Sequence, residues 1–88
     1  MNYFKKMPKY KCHKVVAAVK IKYLKIDEYA KNDGAMVVPT DGSLEDFPVS
    51  QEFINKHKPK AGGYYVVYED GYQSYSPADA FESGYTKL

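Results

Sequence analysis

Cys12, His13 and His57 are the only thiol and imidazole groups in the chain, so any transition-metal or thiol chemistry must use them. Structural zinc takes four Cys or His ligands at short recurring spacings, which these three residues do not supply. Cys12 and His13 are also sequence neighbours. On a strand, neighbours point to opposite faces, so they make a poor nucleophile and base pair. Gly62-Gly63 follows Lys56, Lys58 and Lys60, but a phosphate cradle needs a helix after its glycines and usually Gly-Lys-Ser/Thr. Here a strand-forming run follows instead. Asp41, Glu45, Asp46, Glu69 and Asp70 lack the alternating oxygen ligands of a calcium loop. A paired-carboxylate sugar cleft needs more chain than this. These acids read as a solvated face. No cofactor, no metal and no enzymatic activity are expected.

Tyrosine and lysine are harder to set aside. There are ten tyrosines and four phenylalanines, and exposed tyrosine gives rigid contact area with a polar tip. All thirteen cations are lysine, a point charge without the planar fork that reads guanine edges. Residues 1–25 hold eight of them (Lys5, Lys6, Lys9, Lys11, Lys14, Lys20, Lys22 and Lys25) and no acid, while all eleven acids lie after them. This split offers a basic surface to phosphates or to acidic proteins. The competing reading is that the basic segment neutralises the acidic remainder across paired strands.

The elements that position these residues follow from length and pattern. Eighty-eight residues with 44% apolar and 27% charged content make one domain with one modest core. Residues 1–13 read as a basic aromatic arm leading into a strand. No apolar run approaches the ~20 residues of a membrane helix, no stretch reads as a signal peptide, and no membrane partner is expected. A single cysteine rules out an internal disulfide framework and fits a reducing cytoplasm.

Residues 14–26 alternate as a strand, with Val15, Ala17, Val19, Ile21 and Tyr23 on one face and Lys14, Lys20 and Lys22 on the other. Asn-Asp-Gly ending at Gly34 marks a turn, and a short strand over 35–38 precedes Pro39. Ser50 caps a helix that Pro59 closes, with Glu52 in its first turn. Ser76 caps a second helix with Pro77 at its first position, Asp79 as a capping-box acid and Gly84 as its left-handed stop. Between them, residues 64–68 and 72–75 form a hairpin around Asp70-Gly71, with both turn residues at positive φ. Phe81 and Tyr85 are expected in the core. Alternation buries either Tyr64, Val66 and Tyr68 or Tyr65 and Val67, and Tyr65 and Tyr72 are assigned to the outward, partner-facing side. The fold class is α+β: a small antiparallel sheet of three to five strands with two short helices.

The segment Gly-Gly-Tyr-Tyr-Val-Val-Tyr-Glu-Asp-Gly-Tyr-Gln-Ser-Tyr-Ser-Pro-Ala-Asp-Ala-Phe-Glu-Ser-Gly-Tyr, over residues 62–85, resembles the C-terminal half of small bacteriophage and prophage proteins of unassigned function. The resemblance covers roughly residues 10–26 and 57–88 and implies a phage origin, while carrying no activity to transfer. Together with the missing chemistry, it leads to the expectation of a phage accessory protein in the host cytoplasm. Such a protein binds a host protein, such as a defence component, and inhibits or redirects it. The contact residues expected are Tyr65, Tyr72, Lys5, Lys6, Lys9, Lys11, Lys20 and Lys22. A homodimer is also expected, because a thin core leaves aromatic surface to cover. The alternative is a protein that sequesters a nucleotide or contacts nucleic acid non-specifically through the lysine arm and tyrosines.

Overall fold

The computed structural model describes residues 7–11, 15–26 and 34–87. Lys5, Lys6, Cys12 and His13 lie outside the described residues, as does the expected turn before Gly34. Among the described residues seven strands and two helices follow in the order β1 (Lys9–Lys11), β2 (Val15–Ile26), β3 (Ala35–Pro39), β4 (Phe47–Val49), α1 (Gln51–His57), β5 (Tyr64–Tyr68), β6 (Gln73–Ser76), α2 (Ala78–Gly84) and β7 (Thr86–Lys87). All pairings are antiparallel. The expected α+β class with a small antiparallel sheet and two short helices holds.

β2 is the organising element because it is long enough to serve three partners. The Ala18 amide donates to the Pro8 carbonyl at 3.0 Å, and Thr40 donates to the Lys20 carbonyl at 2.9 Å. Backbone groups of even-numbered residues share one edge of a strand, so β1 and β3 follow one another along that edge. β5 occupies the opposite edge, with Ala17 opposite Val67 and Val19 opposite Tyr65. β6 then pairs outside β5, and β7 outside β1.

Both faces of this sheet are covered. On one, Ala17, Val19, Ile21, Tyr65 and Val67 form a core with Val37, Phe47, Val49 and Met7, closed by Phe53 of α1. On the other, Val16, Ala18, Tyr64 and Val66 pack under Phe81 of α2. Neither face of β5 is therefore outward, which corrects the expected choice between its two tyrosine sets. Tyr65 is only 2% exposed. Its ring lies 4.7 Å from Phe47 and 5.7 Å from Phe53, so it faces the core and not a partner.

A bulge changes the reading of β2. Ile21 lies opposite Pro39, yet Tyr23 lies opposite Val38. One extra residue, Lys22, shifts the alternation there, as a bulge does. Leu24, opposite Val37, takes over the core side, and Tyr23 becomes 46% exposed rather than sharing a face with Ile21.

Ser50 caps α1 as expected, its Oγ accepting from the Phe53 amide at 3.0 Å. The second cap is different. Ser76 remains in β6 opposite Tyr64, so Pro77 becomes the cap residue without a side-chain bond. The helix ends directly into extended Tyr85, and Gly84 needs no left-handed backbone.

The hairpin also differs in turn type. Only Gly71 has positive φ, at 91°, while Asp70 does not. Gly71 donates to the Tyr68 carbonyl, and the Tyr68 amide donates to the Tyr72 carbonyl, both at 2.9 Å. These bonds define a three-residue loop whose last residue is a left-handed glycine bulge, in place of the expected two-residue turn.

Candidate functional site

The hairpin loop and α1 together raise one tyrosine out of the surface. Among the described residues Tyr23 and Tyr72 are the large hydrophobic side chains left exposed, each at 46%. Tyr72 sits among aromatic and cationic neighbours. Its ring centroid lies 5.9 Å from Tyr68 across the hairpin and 6.2 Å from His57 of α1. The Lys56 ammonium sits 5.2 Å from the same ring, within cation–π range. The position is fixed locally, because the Tyr72 amide donates to Asp70 Oδ1 at 2.9 Å. His57 is held in turn by Phe53, 4.8 Å away.

Tyr72 forms the ridge between two shallow grooves. One, of about 480 Å³, is lined by Val15, Tyr68, Glu69, Asp70 and Tyr72. The other, of about 290 Å³, includes Glu52, Phe53, Lys56, His57 and Gly71 beside Tyr72. The arrangement offers aromatic area flanked by charge, which suits contact with another macromolecule. Sequence reasoning selected Tyr72 but missed Tyr68, Lys56 and His57. The hairpin register was the signal that could have paired Tyr68 with Tyr72. The approach of α1 to β6 is tertiary and left no local trace.

The expected lysines are not gathered at this site. Lys9 lies opposite Ala17 and Lys20 opposite Tyr64, on opposite faces of the sheet, while Lys22 is exposed on the bulge. Lys11 belongs to β1. Lys20 pairs with Glu82 Oε2 at 3.4 Å, and Lys25 with Asp46 at 3.8 Å. Part of the basic segment is thus neutralised by the acidic remainder. The Tyr64 hydroxyl also donates to Glu82 Oε2, at 2.8 Å. That bond, followed by the bond and charge of Lys20, holds the Glu82 carboxyl below its ordinary value of 4.5. Among the described residues no three His, Cys, Asp or Glu side chains converge on a metal-sized site.

No family model matches the chain, and no curated protein sequence does. A solved structure is similar to it: the NMR solution structure of the monomeric form of the phage L decoration protein. The two are 32% identical with a TM-score of 0.65, over 97% of this chain and 62% of that one. The chain thus spans about three fifths of that protein's length. The likeness agrees with the phage origin implied by the C-terminal segment. It overturns the functional expectation. A decoration protein has a structural role, which contradicts both inhibition of a host protein and the alternative of nucleotide or nucleic-acid binding. Nor is the homodimer supported: the solved neighbour is a monomeric form, and Tyr65, one of the two tyrosines assigned to the partner-facing side, is core.

Proposed function

We propose that this chain is a decoration protein that binds the assembled capsid of a phage, a non-enzymatic structural role. The observation that carries the reading is the likeness to the phage L decoration protein across 97% of the chain. The fold suits it. The chain binds as one domain whose sheet is covered on both faces, so recognition falls to the hairpin tip, the end of α1 and the exposed polar surface. Tyr72 and Lys22 are available there. On this reading the protein is made in the host cytoplasm and leaves it on the particle.

Cosedimentation tests this. Purified protein is mixed with capsids of the phage that carries its gene and centrifuged at a speed that pellets only capsids. The expected result is saturable pelleting, with the bound amount levelling at a fixed ratio to the major capsid subunit. Protein that stays in the supernatant at every concentration overturns the reading.

A further inference from the structure

We infer that the groove between Val15 and the β5–β6 hairpin tip receives a lysine- or arginine-bearing loop of the capsid subunit. This rests on the decoration reading and adds the chemistry of the contact. The groove, of about 480 Å³, has two tyrosine walls, Tyr68 and Tyr72, and two acids, Glu69 and Asp70. No lysine lines it. Asp70 already accepts the Tyr72 amide, whereas Glu69 has no hydrogen-bond or ion-pair partner among the described residues. An anionic ligand would meet like charge there. A purely apolar one would strip water from Glu69 without replacing it, which is costly. A basic side chain satisfies both features at once, because aromatic faces and carboxylates attract the same cation. The chain itself uses the Tyr72 ring in this way with Lys56, 5.2 Å away. Tyr68 and Tyr72 lie 5.9 Å apart between ring centroids, so each restricts the other and less side-chain freedom is lost on docking.

Capsid binding is measured for the wild type and for Tyr72→Ala, Glu69→Lys and Tyr23→Ala. Tyr72 and Glu69 are exposed, so both variants keep the fold, which circular dichroism confirms. Tyr72→Ala is expected to weaken binding about 30-fold, as loss of an interface hot spot does. Glu69→Lys weakens it further by charge reversal, and Tyr23→Ala, equally exposed but remote in the sequence pattern, leaves it unchanged. Wild-type binding with equal affinity for all variants overturns the groove assignment while sparing the decoration reading. Self-association of the wild type that Glu69→Lys abolishes also overturns it, by giving the groove to a second copy. If wild-type protein binds no capsid, the decoration reading fails, and the groove chemistry is read separately by NMR titration with a triarginine peptide. Amide shifts centred on residues 68–72 and lost in Glu69→Lys support a cation groove. Shifts of the same size around Glu45 and Asp46 overturn it.

Discussion

The ring of Tyr64 lies 4.2 Å from that of Phe81 at an interplanar angle of 20°, so strand β5 and helix α2 meet through stacked aromatic faces. Tyr85 continues the stack on the far side of Phe81, at 4.5 Å and 14°. Phe81 is the middle ring of three and is 1% exposed. It is the one buried residue that α2 contributes to the second core, with Ala78 and Tyr85 packed beside it.

Phe81→Ala is expected to cost about 3–5 kcal/mol, the usual range for deleting a buried aromatic ring. A domain of this size has a total stability of about 5–15 kcal/mol, so the variant sits near its unfolding threshold. Urea denaturation followed by tyrosine fluorescence measures the loss. A change below about 1 kcal/mol would show that α2 is not held by this stack.

The second expectation concerns acid. Glu82 accepts from Tyr64 and Lys20, and its carboxyl titrates below the ordinary 4.5 in the folded protein. A depressed carboxyl stabilises the fold above its unfolded value, and that contribution is lost as pH falls through the lower folded value. The melting temperature of the wild type should therefore exceed that of Glu82→Gln at neutral pH, and the gap should close as pH falls below the ordinary 4.5. The site is exposed, so the gap is small and salt narrows it. A gap that widens in acid contradicts the assignment.

Much of the architecture is legible in local pattern. The alternation of β2 up to Ile21, the Ser50 cap and the β5–β6 hairpin all follow from residue type and spacing. What escapes is decided by contacts between distant segments. Phe47-Pro48-Val49 does not read as a strand because proline lacks a ladder donor. It serves at an edge, where Pro48 is exposed between two buried neighbours and, among the described residues, β4 pairs only with β3. Val66 and Val67 side by side signal that both faces of β5 are covered, yet they do not say by what. α1 with β4 takes one face and α2 the other. Tyr65 turns inward for that reason, while Tyr72, which follows the three-residue loop, stays exposed.

At the hairpin the turn type can be tested through its glycine. Gly71 has φ of 91° and Gly42 has no such restriction, while a Cβ at either position meets nothing within 4 Å. Valine at the two sites thus differs in backbone strain alone. Gly71→Val is expected to lower stability by about 1–3 kcal/mol, and Gly42→Val to change it by less than about 0.5 kcal/mol. Gly71→Asn should recover part of the loss, because asparagine tolerates the left-handed region better than valine. Thermal melts of the three variants decide it, and equal melting temperatures for Gly71→Val and Gly42→Val would exclude the glycine bulge.

Tyr65 and Tyr72 provide the sharpest contrast between core and surface. Both belong to the same hairpin unit, but one is 2% and the other 46% exposed. Tyr65 fills the space between Phe47 and Phe53, so its removal opens a cavity where β4 and α1 meet the sheet. Tyr65→Ala is expected to destabilise by about 3–5 kcal/mol. Tyr72→Ala should change stability by less than about 1 kcal/mol, because water already covers nearly half of the ring and its contacts with Tyr68, His57 and Lys56 are peripheral. Tyr65→Phe separates packing from the hydroxyl: it keeps the ring against both phenylalanines and should retain most of the stability. Denaturant midpoints for the three variants carry the test. If Tyr72→Ala costs as much as Tyr65→Ala, Tyr72 is a strut that fastens α1 to the hairpin, and the capsid contact must lie on another part of the surface.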